Sequence, residues 1–525
     1  MTTEMHPTRW GDPAQAGPLP SATRELVELA FGVHDTTVAE GAALPAPGLA
    51  ESVLADLRAV LGDEHVRTDD ESRRLRTRGK STPDLLRARA GDLTDAPDAV
   101  VRPGDHDDVV ALLEVAVRHH VAVVPFGGGT SVTGGLVARR EGYAGVVSLD
   151  LGRLTAVREI DEVSMTAVLE PGLRGPEAEA RLAEHRLTLG HYPQSFEFAT
   201  IGGFAATRSS GQSSAGYGRF DALVVGLTVA TPQGTWELGT SPANAAGPDL
   251  RQLVLGSEGA FGVITAVRVR VRRLPAERVY EGWQFGSFAA GTEAIRTLAQ
   301  AGARSGLMPT VLRLSDESET ALNLASQSDV GGAAADGGCL MIVGHEGADV
   351  ADRRAAVTAA LEAAGGTPLG EERGAAWEQG RFHAPYLRDS MLDVGVTVET
   401  LETATFWSRV PQVYAAVRQA LAGTLGERAI VLCHVSHVYE TGCSLYFTVA
   451  VPGGDDPVEQ WRSAKSAATE AMVAAGATIT HHHAVGTDHR PWLEREIGPL
   501  GVRVLRAVKD ELDPTGVLNP GVLVP

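Results

Sequence analysis

A chain of 525 residues can bury more than one hydrophobic core, so at least two domains are expected. Its 66 acidic residues outnumber 46 basic ones and give a formal charge of -20, which argues against a nucleic-acid partner but leaves an anionic small substrate open. The three cysteines (Cys339, Cys433, Cys443) form no CxxC pair and no run of about 18 apolar residues occurs, so neither a disulfide framework, a thiolate zinc site nor a transmembrane helix is expected.

Up to about residue 48 the chain is rich in Pro and Gly, with a helix expected over 22–31 and an isolated Arg9-Trp10-Gly11-Asp12-Pro13 before it. Apolar spacing at Val53, Leu54, Leu57 and Leu61 predicts a helix over 52–61. A short strand is expected over 99–102. A helix then starts at Asp105, with acids in its first turn and His119 and His120 in its last, an order that suits the helix dipole and gives both histidines a capping role. Strand-forming residues 121–126 run into PFGGGTSVTGGL (125–136). Gly127, Gly128 and Gly129 allow positive φ and close approach to a ligand, while Thr130, Ser131 and Thr133 add hydroxyls. Successive N–H groups in such a turn suit a pyrophosphate. The same residues also read as a plain glycine-rich turn. Their spacing is neither GxGxxG nor GxxxxGKS/T, so the Rossmann and Walker arrangements do not apply.

Strands are expected at 145–149, 166–170 and 223–230, with a helix over 175–185. Residues 192–218 (YPQSFEFATIGGFAATRSSGQSSAGYG) form a long loop of small, almost uncharged residues, better suited to line a flat neutral ring system than to face water. GSEGAFGVIT (256–265) leads into a strand over 263–272 that alternates Val with Thr, Ala or Arg, so one exposed face is expected. From residue 277 strands (280–285, 310–314, 339–343) alternate with helices (289–301 and 350–363), the pattern of a separate antiparallel sheet with helices on one face, extending to about residue 475. The tail carries LDPTGVLNPG, an irregular segment with Asp-Pro and Asn-Pro turns.

Four clusters carry candidate chemistry: Arg388 in PYLRDS, His434 and His437 in CHVSHVY, Tyr446 in SLYFTVAV, and His481, His482 and His483 after ATIT and before AVG. Singly, each has a bland reading: a surface ion pair with Asp389, buried or solvated histidines, and a core aromatic. Their combination is more specific.

The three glycine- and serine-rich segments, in this order and at this separation, resemble the FAD-binding domain of the vanillyl-alcohol oxidase and p-cresol methylhydroxylase superfamily. The resemblance implies an α+β fold: a two-part FAD-binding domain of the p-cresol methylhydroxylase type, an inserted antiparallel-sheet cap domain and a short helical N-terminal region. It divides the chain at 1–98, 99–275, 276–475 and 476–525, the last segment returning to the FAD domain. It assigns the FAD pyrophosphate to Pro125, Gly127, Gly128, Gly129, Thr130 and Ser131. The borders of the cofactor fall to Gln194, Ser195, Thr200, Gly202, Gly203, Thr207, Ser209 and Ser210, and to Glu258, Gly259, Gly262, Val263 and Ile264.

YLRD, a Tyr in an apolar strand, HHH-x-VG, LDPTGVLNPG, the early RWGDP and GPDL at 247–250 together resemble the alkyldihydroxyacetonephosphate synthase family, the ether-lipid branch of this superfamily. That likeness implies a net non-redox use of FAD. Acyl-dihydroxyacetonephosphate loses a C1 proton, flavin N5 adds at C1 as the fatty acid departs, and a fatty alcohol displaces it to leave an ether. By position it makes Tyr446 the proton donor and acceptor, sets His481, His482 and His483 beside flavin and substrate, and puts Arg388 near N5 facing the acid, where a planar fork grips carboxylate or phosphate. His434 stands where the family tends to have Arg. In related 2-hydroxyacid dehydrogenases a histidine there ligates a metal, and His434, His437 and His482 form a possible three-nitrogen set. Because HxGDGNxH is absent, no metal is expected. The alternative activity is an FAD-dependent oxidase or dehydrogenase of a 2-hydroxyacid or alcohol. Lipid substrates, peripheral membrane contact and a homodimer are expected of the family. With no apolar signal region and no sorting address in VLVP, the expected location is cytoplasmic.

Overall fold

The computed structural model describes residues 3–39, 41–305, 307–326 and 337–525. Two larger sheets and the short pair Leu187–Thr188 with Arg272–Arg273 build its first part. In the four-stranded one, Val66–Arg67, Ala99–Val101, Val146–Asp150 and Ala122–Phe126 lie in that order, with the last three parallel. Helices Glu51–Leu61 and His106–His119 cover it, burying Val53, Leu54, Leu57, Val109, Leu112 and Leu113. Their apolar residues recur at three- and four-residue spacing, which puts one stripe against the sheet. Asp105 caps the second helix through Asp108 N–H, and His120 closes it in the left-handed conformation. His119 bonds Asp56 at 2.8 Å, so both histidines belong to the helix end.

The five-stranded antiparallel sheet has Val263–Arg270 at its centre, between Thr166–Leu169 and Val224–Thr231. The exposed face expected of this strand is present only in its second half: Arg268 and Arg270 turn outward between buried Val267 and Val269, whereas 263–266 is buried throughout. Thr265 bonds His106 at 2.8 Å, and helix Ile201–Thr207 packs Ile201, Phe204 and Ala205 into the core that also takes Ile264, Val267 and Val269. That helix is a second difference from expectation. Residues 192–218 are not one loop; they contain Ile201–Thr207, with Thr200 as its N-cap, and Ser214–Tyr217.

The second part is a seven-stranded, wholly antiparallel sheet in the order Thr367–Gly370, Glu277–Phe285, Cys339–Gly347, Val311–Ser315, Ile430–Val435, Gly442–Pro452, Val396–Phe406. Strict alternation governs its two faces. Leu312, Leu314, Cys433, Val435, Leu445 and Phe447 point into a core shared with helices Phe288–Ser305, Val410–Leu425 and Pro457–Ala474. The intervening residues, Arg313, His434 and Tyr446 among them, therefore share the opposite face. At one end of that face, helix Ser21–Phe31 packs Val27 and Phe31 against Val396, Val398, Ile430 and Ala450.

After helix Leu493–Leu512 the chain returns to the first sheet. Val517 and Leu518 are fully buried there, Leu518 bridges Val123 in parallel, and Asn519 N–H bonds the Val123 carbonyl at 2.8 Å. Among the described residues no helix is long and apolar enough to cross a membrane.

Candidate active site

A cavity of about 380 Å3 lies between the polar face of the seven-stranded sheet and the segments at 125–136, 193–212 and 258–264. Every residue assigned above to the cofactor lines it, from Pro125 through Ser131, Gln194 through Ser210, and Glu258 through Ile264. Of the three glycines only Gly129 takes a positive φ, at 70°. Gly127 and Gly128 are required for a different reason. A Cβ on Gly127 would strike the Thr200 hydroxyl, and one on Gly128 the Phe198 carbonyl, so these two stretches of backbone close on each other only without side chains. Thr133 does not line the cavity; its hydroxyl donates to the His483 carbonyl at 3.1 Å.

This wall fits FAD. It is made of backbone, hydroxyls and small residues, and its one carboxyl, Glu258, is fully buried with Oε2 accepting from Gly486 N–H at 2.6 Å. Burial pushes that carboxyl up to about 8, so near neutrality the wall carries no fixed negative charge against a pyrophosphate. The raised value implies stability that is full below about pH 4.5 and is lost as pH rises through 8. Glu258→Gln is therefore expected to flatten the fall in Tm between pH 6 and pH 9, raising it at pH 9 relative to the wild type. Parallel melting curves for the two proteins would overturn this.

On the sheet side, register brings three strands together: Tyr446 lies directly opposite His434 on one neighbour and Glu402 on the other. Tyr446 stacks on the His434 ring at 4.8 Å and on His482 at 6.0 Å, with His483 edge-on at 5.6 Å. Burial pushes its phenol up to about 12, and Thr400 hydrogen-bonds it. Glu402 is buried beneath the histidine turn. It accepts from the backbone N–H groups of His481, His482 and His483 and from Thr480 Oγ1, at 2.7–3.1 Å. Burial opposes its charge, but His482, His483 and His481 hold it well below the ordinary carboxylate range.

His482 and His483 line the cavity, whereas His481 does not. It turns away to Tyr439, 2.5 Å from its Nε2, while its Nδ1 lies 3.0 Å from His482 Nδ1. Burial lowers the pKa of His481, His483 and His437, with His483 at about 3, so these rings are neutral. His434 is neutral too, lowered by burial and by Arg313.

Arg313 and Glu319 were not anticipated from the sequence. Arg313 reaches His434 at 3.0 Å and Glu319 at 2.7 Å, and all three line the cavity. Burial opposes the charge on Glu319, yet His434 and Arg313 bring it down to about 2. A cation thus stands beside His434, delivered from the adjacent strand. The available signal was an arginine inside the apolar stretch VLRLS, on the parity that faces away from the core. Arg388 also lines the cavity. It bonds Asp389 as its neighbour in sequence suggested, at 3.0–3.1 Å, but Asp389 is buried and Arg388 half-buried rather than on the surface.

The alternative nitrogen set of His434, His437 and His482 does not form, because His434 is committed to Arg313 and Glu319. The histidines that do approach, His437, His481 and His482, have ligand atoms within 4.8 Å of one another. Their nitrogens already bond Ser214, Tyr439 and each other. Exhaustive chelation is accordingly expected to leave turnover unchanged; stoichiometric zinc or manganese by elemental analysis, with activity lost on its removal, would contradict this.

Comparison with known proteins gives two family matches: an FAD binding domain over residues 97–239 and the FAD linked oxidases, C-terminal domain, over 274–523. An alkyldihydroxyacetonephosphate synthase of Trypanosoma brucei brucei is 34% identical, over 92% of this chain and 82% of its own length. A solved alkyldihydroxyacetonephosphate synthase structure superposes with a TM-score of 0.85 at 28% identity, covering 98% of each chain. The structure of p-cresol methylhydroxylase shares the fold, with a TM-score of 0.68 at 16% identity over 91% of this chain and 98% of its own.

Proposed function

We infer that this chain, which belongs to the alkyldihydroxyacetonephosphate synthase family, is an FAD-dependent transferase that exchanges the acyl group of acyl-dihydroxyacetonephosphate for a fatty alcohol without net redox change. The observation that carries the reading is the set of rings around Tyr446, with His434 stacked on it and His483 edge-on, across the cavity from the backbone assigned to FAD. When bound, FAD supplies the nucleophilic ring nitrogen on which exchange at C1 of the substrate turns.

The chain's own residues do the rest. The backbone at Gly127–Ser131 would hold the pyrophosphate, and the 193–212 and 258–264 segments would flank the remainder of the cofactor. Tyr446 is kept protonated across neutral pH and so has a proton to give. His483, edge-on to Tyr446 at 5.6 Å, borders the same space and is kept neutral by burial. Tyr446 carries the proton exchange at C1, as both donor and acceptor. His482 packs edge-on against His483 at 4.6 Å, and Glu402 fixes the histidine turn from below through three backbone N–H groups. Arg388 and Arg313 supply the cations, for the substrate phosphate and the departing carboxylate, in a site shielded from water. In this reading His481 positions His482 and does not meet substrate.

The division of the chain into an FAD unit (99–275, completed by 476–525) and a cap (276–475), peripheral contact with a membrane, a homodimer and a cytoplasmic location complete the proposal. The decisive experiment incubates purified holoenzyme with palmitoyl-dihydroxyacetonephosphate and labelled fatty alcohol in the absence of an electron acceptor. Labelled ether product is expected. No ether, together with acceptor-dependent oxidation of a 2-hydroxyacid or alcohol, would replace this reading with the dehydrogenase one.

A further inference from the structure

The N-terminal RWGDP segment, which the chemistry above leaves unused, does not trail from the protein. Residues 5–12 are laced onto helix Ala384–Asp393, the helix that carries Arg388, nearly four hundred residues later. The Trp10 backbone N–H donates to one oxygen of Asp389, and the other oxygen accepts from Arg388 Nε and Nη2 at 3.1 and 3.0 Å. Arg9 grips Asp393 with both contacts at 2.7 and 2.8 Å. Behind them Lys80 donates to the His6 carbonyl at 2.5 Å while its own carbonyl accepts from Arg388 Nη1 at 2.7 Å. Arg89 ties Thr8 O to Asp393 from the same side. Trp10 itself is 4% exposed, packs edge-on against Phe198 and lines the cavity beside Lys80 and Arg388.

Three of the donors on the Arg388 guanidinium are therefore fixed from behind, by one carboxylate oxygen and one carbonyl. A long arginine left free would sample many rotamers, and orienting it costs entropy each time an anion binds. Asp389 removes that freedom, and the Trp10 amide in turn holds Asp389, which is 3% exposed.

We propose that Asp389 is a positioning residue for Arg388, and that the N-terminal strap Met5–Asp12 is part of the active site because it fixes Asp389. The ligand it serves is the phosphate-bearing anion that the cavity receives. The proposal rests on the functional reading given above.

The test is a double-mutant cycle on the holoenzyme, comparing wild type, Asp389→Asn, Arg388→Ala and the double variant for kcat/KM, bound FAD and melting temperature. Asp389→Asn keeps the side-chain shape and is expected to lower kcat/KM about 10–100-fold, as small misplacements of catalytic groups do, while FAD content stays at the wild-type level. In the Arg388→Ala background the same change is expected to alter kcat/KM less than about threefold, because its effect passes through the guanidinium. Losses that multiply in the double variant, or wild-type kinetics for Asp389→Asn, overturn the proposal. Should Asp389→Asn fail to fold, deletion of residues 1–12 carries the test through hydrogen exchange. Faster exchange over 384–393 with the cofactor retained supports the strap, and unchanged exchange refutes it. That readout needs no substrate, so absence of ether product in the wild type would sink the assigned reaction and leave the strap standing.

Discussion

Tyr446→Phe is expected to fold, to bind FAD fully and to lose about 10²–10⁴-fold in turnover, the usual worth of a positioned acid or base. The change deletes one oxygen. The ring still stacks on His434, and the apolar neighbours Leu445 and Phe447 still point into the cap core, so packing is untouched. If the hydroxyl served only as a hydrogen-bond partner of Thr400, its loss would cost about 1 kcal/mol of stability and nothing in rate. The two cases separate when flavin absorbance, melting temperature and ether formation are measured on the same sample. Near-normal turnover in a fully flavinated protein would remove Tyr446 from the chemistry. Loss of the substrate C1 proton to solvent, followed in labelled water, locates the defect in the proton step.

Gly128→Val is expected to give protein without bound FAD. Its Cβ alone would drive into the Phe198 carbonyl, so the first loop has to part from the second to admit it. Overpacking of this kind costs about 1–3 kcal/mol. Spent on opening the two loops that line the cavity, it corresponds to about 10–100-fold in affinity, and valine's branched methyls add to the misfit. Colourless protein with a native circular dichroism spectrum is the anticipated result; a yellow variant at full stoichiometry would show that the loops tolerate separation. The steric partner is protein backbone, so Gly128→Ala is expected to follow valine rather than glycine.

What the sequence disclosed and what it withheld divide along a physical line. Contiguous features were readable: the glycine turn ends a strand because Val121–Phe126 is β-forming, and Tyr446 alternates with the inward Leu445 and Phe447. Features made by strand order were not. Arg313 and Glu402 reach the site because Val311–Ser315 and Val396–Phe406 flank the pair that carries His434 and Tyr446, an adjacency set by the sheet and invisible in chain order, and Glu319 follows from the helix Glu317–Ser326 next to the first of them. The exposed face assigned to 263–272 holds at Arg268 and Arg270 but not over 263–266, for a related reason. Alternation says which residues share a face, but whether that face meets water depends on what the fold lays over it, here in part helix Ile201–Thr207 in a stretch read as loop. His481 was placed with its neighbours by motif, while the turn it sits in points it to Tyr439.

The return of residues 517–519 to the first sheet sets an order on biosynthesis. Val123 waits for the carbonyl of Val517 and the amide of Asn519 until the whole cap has left the ribosome. Val517 and Leu518 also fill the core beneath the strand that leads into the glycine turn. A nascent chain can therefore complete its seven-stranded sheet first, with the half-built flavin unit still open at the Val123 edge. Chains aborted late in translation would present that open edge, a ready mark for chaperones and proteases. Asn519 Nδ2 also donates to the Glu258 carbonyl at 2.6 Å, so the last-made segment holds the third cavity-lining stretch in place.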